Sequence, residues 1–300
     1  MDNYQWNDAY SLGVEVIDAG HKRLLSVCQR VIKMLEGGDY EMHRYACIEA
    51  VKFFKSHLIT HCAEEEEYMR SIDYEHYEWH KELHDRATHK LIPSVEKDLI
   101  ESDYDEESIR RFVGIGLGWF TAHLGDDLAI VGRGVDRSRV LSERGVVAKL
   151  AEGVSEVMKG VFQMPAELVN DQYEGEDFGD ALYYDIGYKS IMDEGYVRLI
   201  VSLEKRLVLQ GTGVLLSTSF QEIDTMVLSA TKELSNMMFQ HMRGYFPSES
   251  ARYQFAGDQL LTAEQVRLRL AKKAPDYGLL FKTPMGFFAI CLDMGEAKIK

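Results

Sequence analysis

The sequence predicts two domains, an all-α up-down four-helix bundle followed by an α+β domain. Apolar residues recur at steps of three and four along residues 1–132, as they do on the buried faces of helices. Beyond residue 145 the pattern changes, and segments with the alternation typical of strands lie among helical ones. A chain of 300 residues is also long enough to bury a core in each domain.

The helical period of the first domain, residues 1–132, is interrupted by turn residues. Gly37-Gly38, Ser71-Ile72-Asp73 and Ser102-Asp103 mark the breaks. Long helices joined by such short connections favour an up-down bundle. The predicted helices span residues 18–36, 41–70, 76–100 and 106–131.

The second domain is predicted at residues 146–300, after an arginine-rich linker at residues 133–145 that has few apolar side chains. Helical and alternating patterns are mixed in it, which predicts an α+β fold. A hairpin is expected at residues 277–294, with its turn at Thr-Pro-Met-Gly. Helices are expected at residues 146–163, 205–217 and 225–245, and strands at residues 181–192 and 195–204.

Composition excludes some classes of function. The net charge of −15 argues against a nucleic-acid partner, because no basic face would neutralise phosphates. No apolar run approaches the roughly 20 residues that span a bilayer, so no membrane partner is expected. The N-terminus lacks the basic and apolar regions of a signal peptide, and the four cysteines form no C-x-x-C pair. We therefore expect a cytoplasmic protein with reduced thiols.

Three of the predicted helices each carry two metal-capable side chains four residues apart, and the first helix adds His21. Positions i and i+4 lie on one face of a helix. These positions lie on or beside the apolar stripes, so the side chains should meet in the bundle core. Leaving them unpaired there would be costly, which indicates a metal or a complete hydrogen-bond network. The pairs are His61 with Glu65, His80 with His84, and His123 with Asp127.

The types of ligand narrow the choice of metal. Five imidazoles and two carboxylates exceed what one tetrahedral zinc ion needs. Mixed nitrogen and oxygen ligation suits iron. A pair of six-coordinate iron ions would use the imidazoles singly and share both carboxylates and a bridging oxygen atom. One position would then stay open, where O₂ could bind.

Other interpretations of the same region remain open from the sequence alone. His57 and His76 also lie one turn from candidate ligands, so His76 with His80 could replace His80 with His84. Part of the acidic run on the second helix is expected to form a solvated face. The residues concerned are Glu64, Glu66 and Glu67.

Residues 114–118 read Gly-Ile-Gly-Leu-Gly. They do not predict a nucleotide-binding loop, because no strand precedes them and the wider pattern is absent. We expect these glycines to permit close helix packing.

Residues 4–132 resemble the bacterial hemerythrins. The resemblance implies a four-helix bundle with a non-haem, oxo- or hydroxo-bridged pair of iron ions and O₂ as ligand. It implies as ligands His21, His61, Glu65, His80, His84, His123 and an aspartate, with the two carboxylates bridging. The matching residues follow one order along the chain: Trp6, Tyr10, Gly13, Ile17-Asp18, His21, His61, Glu65-Glu66, Met69, Tyr74, His80, His84, Trp119 and His123.

The aspartate ligand departs from the family's spacing. Hemerythrins usually place it five residues after the last histidine, whereas here Asp126 and Asp127 follow His123 by three and four. We choose Asp127, because the stretch DLAIVG continues from it as the family does after its aspartate.

The second domain carries Glu233 and Asn236, three residues apart on one face of a predicted helix. An E-x-x-N pair is weak by itself, but an alternating strand and a helix precede it and the terminal hairpin follows. In this order the elements of residues 146–294 resemble the CheX-like chemotaxis phosphatases, which dephosphorylate the response regulator CheY. The stretch 246–276 departs most from that family.

The resemblance implies that Asn236 orients a water for attack on an aspartyl phosphate and that Glu233 grips a cation on the partner. The hypothesis is a sensor–effector fusion in which O₂ or NO at the iron pair alters dephosphorylation of a CheY-like regulator. The family also suggests a homodimer through the second domain. The alternative is an oxygen- or iron-binding protein whose second domain is inactive and only dimerises or docks, so enzyme activity stays open.

Overall fold

The computed structural model describes residues 6–37, 39–133, 145–176, 179–191, 194–242 and 253–295. The chain forms two compact units that do not follow a single cut in the sequence. The first contains Met1–Gly134 and Thr212–Leu234, and the second contains Val135–Gly211 and Ser235–Lys300. The predicted linker, residues 133–145, lies outside the described residues except at its two ends.

The first unit contains the helical bundle, and the fold class predicted for it is confirmed. Two helices begin at aspartate caps: Asp39 accepts a hydrogen bond from the Met42 N–H, and Asp105 from the Ser108 N–H. The helices are α1 (Glu15–Leu35), α2 (Tyr40–Ser71), α3 (Tyr77–Arg86), α4 (Ile92–Glu101) and α5 (Glu106–Ile130).

The third predicted helix is divided by a π-helical turn. Residues Ala87–Leu91 form this turn between α3 and α4. Pro93 follows as an early residue of α4 and has no N–H to donate to the preceding turn. The hydrogen-bond ladder is therefore offset one turn beyond His84, and π turns of this kind are frequent at functional sites.

The bundle core includes residues that the sequence assigns to the second domain. Leu215, Leu216 and Met226 are buried in the same apolar cluster as side chains of α1, α2 and α5. Two further contacts fix this segment: the Asn7 amide donates to the Val214 carbonyl at 3.3 Å, and Arg110 pairs with Asp224 at 2.9 Å. Residues 212–234 are thus part of the bundle's packing.

The second unit is an α+β domain around one antiparallel sheet, as predicted. The sheet has the order β1-β5-β6-β3-β2-β4, and every neighbouring pair is antiparallel. The strands are β1 (Glu167–Asn170), β2 (Ala181–Ser190), β3 (Tyr196–Glu204), β4 (Tyr253–Leu261), β5 (Tyr277–Thr283) and β6 (Gly286–Asp293).

Helices precede these strands and lie between them in the sequence. The terminal hairpin is present, with Thr283 opposite Gly286 at the β5–β6 turn. Phe281 on β5 and Phe288 on β6 are paired across the hairpin, and their rings stack with centroids 4.9 Å apart. The remaining helices are α6 (Val146–Phe162), α7 (Lys205–Thr212), α8 (Thr225–Met242) and α9 (Ala263–Lys272).

Several boundaries differ from the sequence-based expectation. The helix expected at residues 205–217 ends at Thr212, and a short 3₁₀ turn follows at Val214–Leu216. The stretch 246–276 contains β4 and α9, which the sequence did not predict. Most of the side chains between the ends of β4 are exposed or half-buried, so the strand lacks alternating apolar positions. Within the described ranges, no helix has the length and apolarity that crossing a membrane requires.

Candidate functional site

The four long helical segments of the bundle bring the predicted metal ligands to one place. α1 contributes one side chain, and α2, α3 and α5 contribute two each, at i and i+4. All seven are at most 2 % exposed. They are His21, His61, Glu65, His80, His84, His123 and Asp127.

Asp127 faces three imidazoles. Its Oδ2 lies 3.1 Å from His21 Nε2, and its Oδ1 lies 3.2 Å from His80 Nε2 and 3.6 Å from His123 Nε2. Its two oxygens thus lie towards different histidines.

Glu65, the other carboxylate of the cluster, also faces several imidazoles. Its Oε1 lies 3.2 Å from His80 Nε2. Its Oε2 lies 3.6 Å from His61 Nε2 and 3.5 Å from the Nε2 atoms of both His84 and His123. Glu65 is therefore shared by two overlapping groups of candidate ligands: His21, His61, Glu65 and His123, and Glu65, His80, His84 and His123.

The site's polar atoms approach one another without pairing as donors and acceptors. Among the described residues, no hydrogen-bond partner is found for the five Nε2 atoms or for the four carboxylate oxygens of Glu65 and Asp127. Buried polar groups are normally satisfied, and so many unsatisfied ligand atoms in one place fit metal coordination. Nitrogen and oxygen donors in this mixture suit iron.

The charges at the site respond to burial and to neighbouring ligands. Burial, with His21 nearby, lowers the pKa of His61 to about 2 and keeps that imidazole neutral. Burial also acts to lower the pKa of His80, but the Asp127 and Glu65 carboxylates, each with an oxygen 3.2 Å from its Nε2, outweigh burial and raise the pKa to about 10. A metal ion bound at Nε2 would displace that proton. Burial acts to raise the pKa of Glu65, yet the imidazole of His123 and its neighbours hold it well below the usual range. The carboxylate is therefore ionised and available as a ligand.

Glu66 supports a ligand from outside the cluster, so its assignment to a solvated face was wrong. Its Oε1 lies 3.1 Å from His84 Nδ1, and its side chain is 15 % exposed. Oε2 of the same carboxylate lies 3.7 Å from Arg70. Such a carboxylate fixes the orientation of a metal-binding imidazole and leaves Nε2 directed at the ion. Glu67, next in the chain, is exposed.

Replacing Glu66 with alanine is expected to weaken iron binding by about tenfold or more, because His84 loses the group that orients it. Competition with a chelator of known iron affinity measures the change. Glu67→Ala is the matched control and should bind iron like the wild type. Equal iron affinity in both variants would show that Glu66 does not support the site.

Two residues of α1 shape the site without being ligands. A methyl group at Gly20 would overlap the His61 ring, so this glycine allows α1 and α2 to approach. Asp18 accepts hydrogen bonds from the Ser11 hydroxyl and from the N–H groups of Leu12 and Gly13. It thereby ties the preceding loop to the start of the helix that holds His21.

The alternative histidines lie elsewhere. His57 stacks on Phe53 with ring centroids 4.9 Å apart, one turn before His61. His76 is the residue before the first turn of α3, and its ring packs edge-on against Tyr74. Of the two alternative pairs, the structure places His80 and His84 beside Glu65.

An apolar cavity of about 60 Å³ lies within the bundle. Several of its lining residues are within one helical turn of candidate ligands: Leu24, Leu58, Ala87, Trp119 and Phe120. Trp119 also stacks on His123 at 4.7 Å. The surroundings of the site on this side are therefore apolar.

The E-x-x-N pair lies on α8, where both side chains are half-buried. Asn236 Oδ1 accepts a hydrogen bond of 2.7 Å from the Tyr188 hydroxyl on β2. Tyr188 is held in turn by stacking on Phe239 of α8, with ring centroids 3.7 Å apart. The Tyr188 hydroxyl therefore orients the amide of Asn236. No local pattern in the sequence predicts this contact, because it joins residues 48 apart.

The fold and the ligand set define a cation-binding helical bundle. Residues 12–127 match the family model described as the hemerythrin HHE cation binding domain. The chain is 27 % identical over 123 residues to the bacteriohemerythrin of Clostridium acetobutylicum, which is 40 % of this chain and 92 % of that protein. Residues 12–127 are thus similar to a hemerythrin domain, as the resemblance implied.

Several solved structures similar to the C-terminal half are described as chemotaxis proteins. One is a CheX–CheY–BeF3–Mg complex from Borrelia burgdorferi, with a TM-score of 0.40, 11 % identity, and coverage of 51 % of this chain and 99 % of that one. Another is the chemotaxis protein CheX from Vibrio vulnificus, with a TM-score of 0.36, 11 % identity, and coverage of 51 % and 99 %. A third, CheX from Desulfovibrio desulfuricans, has a TM-score of 0.35, 14 % identity, and coverage of 50 % and 99 %.

Proposed function

We propose that the bundle holds two iron ions and binds O₂, or NO, as an oxygen sensor. The observation that carries this proposal is the convergence of seven buried side chains whose ligand atoms have no hydrogen-bond partner among the described residues. Glu65 and Asp127 would each contact both ions, and the five histidines would contribute one nitrogen each. Iron held this way supplies a redox-active centre at which a small gas can bind.

The residues around the ligands would favour a diatomic gas over water. The cavity beside the site is lined almost entirely by apolar side chains, including Leu58 and Phe120. Such a lining admits O₂ without a desolvation cost and gives a water molecule few partners. His84 is oriented by Glu66, and His123 is covered by Trp119.

We propose further that the second domain dephosphorylates a CheY-like response regulator. Hydrolysis requires that the oxygen of a water attack phosphorus as the bond from phosphorus to the aspartyl oxygen breaks. The carboxylate leaves, and the water's proton goes to the released phosphate or to solvent. Asn236 would orient the water through the second lone pair of Oδ1, since Tyr188 occupies the first. Glu233 would bind a cation beside the phosphate on the partner.

Replacing Asn236 with alanine is expected to slow release of phosphate about 100-fold, because the attacking water is no longer held in line. The assay mixes the full chain with a CheY-like regulator phosphorylated by a small phosphodonor and follows inorganic phosphate. Gln240→Ala, an amide one turn along the same helix, is the matched control and should leave the rate unchanged.

The competing function is an oxygen- or iron-binding protein whose second domain only docks or dimerises. The observation that favours it is the Tyr188 hydroxyl, which already occupies one acceptor site of Asn236. In that case the wild type would accelerate phosphate release no more than Asn236→Ala does. Iron content and the visible spectrum, recorded reduced and then in air, test the bundle's role separately.

Two further proposals accompany the function. We propose that the chain forms a homodimer through residues 146–300 and that it works in the cytoplasm. Light scattering on the full chain at several concentrations measures its molar mass in solution and thereby tests the dimer.

A further inference from the structure

Helix α8 is divided between the two compact units. Its residues as far as Leu234 cluster with the bundle, and those from Ser235 onwards cluster with the sheet. Glu233 therefore lies in the part that packs with the bundle, and Asn236 lies one helical turn later in the part that packs with β2. A single helix thus carries the candidate phosphatase pair and a bundle contact.

Two glycines of α5 form this contact. A methyl group at Gly118 would lie 2.5 Å from the Ala230 carbonyl oxygen and 3.0 Å from Glu233 Cβ, and one at Gly114 would overlap the Met226 carbonyl even more closely. The backbones of α5 and α8 are therefore in direct contact, as the glycine-rich stretch predicted. Gly116, between them, has no atom near such a methyl group.

The same helix α5 also carries ligands of the candidate iron site. Trp119 directly follows Gly118 and stacks on His123 with an angle of 16° between the rings. Asp127 lies one turn beyond His123. A small rotation or shift of α5 at the ligands would have to move the backbone that contacts Ala230, because helices are stiff and the contact has no spare room.

We propose that the iron centre regulates the phosphatase pair through α8: a change of iron state shifts α5, and the glycine contact passes that shift to Glu233 and Asn236. This inference rests on the proposed function of the second domain. Because coupling is reciprocal, binding of a phosphorylated regulator at α8 would also alter the affinity of the iron site for its gas.

The test compares the iron-loaded full chain kept reduced without O₂ and the same chain in air. Hydrogen exchange is followed in peptides covering residues 213–233, and phosphate release is measured in parallel. We expect exchange in this segment to differ between the two states, and the rate of phosphate release to differ about fivefold or more. Peptides from the β5–β6 hairpin should exchange equally in both states.

Gly118→Ala should abolish both differences, whereas Gly116→Ala should keep them, since only the first substitution intrudes on α8. If Gly118→Ala does not fold, Arg110→Gln is the second variant. It removes the ion pair to Asp224 without entering the helix contact, and it should reduce both differences. If hydrogen exchange depends on the state of the iron site but neither the wild type nor any variant releases phosphate, the proposed phosphatase activity is refuted. The proposed coupling of α5 to α8 would still stand. Phosphate release that is equal in both states, with unchanged exchange, would overturn the regulation.

Discussion

Replacing Asp127 with asparagine is expected to reduce bound iron from two ions per chain to one or none. The carboxylate faces His21 through Oδ2 and His80 and His123 through Oδ1, so in the proposed two-iron site its loss would remove a charged ligand from both ions. An amide offers one oxygen and no charge, and hard iron ions prefer the carboxylate. Iron per chain is measured by elemental analysis, together with the visible spectrum in air.

Asp126→Asn is the matched control, because the neighbouring carboxylate is equally buried. It should retain both ions. Circular dichroism of the metal-free variants establishes that both are folded. Loss of iron in Asp126→Asn and retention in Asp127→Asn would reverse the ligand assignment made from the sequence.

Replacing Leu216 with alanine is expected to destabilise the bundle by about 2–5 kcal/mol, the usual cost of deleting a fully buried leucine side chain. Leu216 is completely buried in the bundle's apolar cluster although it lies far from residues 1–132 in sequence. The three tryptophans are Trp6, Trp79 and Trp119, so tryptophan fluorescence during urea unfolding reports on the bundle alone.

Leu268→Ala serves as the comparison, since Leu268 on α9 is 64 % exposed and its truncation should change the unfolding free energy little. An unfolding midpoint for Leu216→Ala equal to that of Leu268→Ala would mean that residues 212–234 contribute nothing to bundle stability.

Much of the bundle could be predicted from the sequence because its information is local. Helical period and turn residues place α1, α2 and α5 within about three residues of their observed bounds. The ligand pairs follow from the i and i+4 rule on apolar stripes, which needs no knowledge of the fold beyond the helix itself.

What could not be predicted depends on contacts between distant residues. Glu66 looks like one more acid on a charged face, and only the packing of α3 against α2 brings His84 to it. Likewise, β4 is a sheet-edge strand with mostly exposed side chains, so its pairing with β2 leaves no apolar period in the sequence. The docking of residues 212–234 on the bundle has the same cause.

The placement of Leu215, Leu216 and Met226 limits how the chain can be divided. A fragment ending at residue 133 would keep every candidate ligand, yet it would leave uncovered the apolar surface on which these three side chains rest. Uncovered surface of this kind promotes self-association. An isolated bundle taken from this protein would therefore need either polar replacements on that surface or residues 212–234 joined back to it by a short linker.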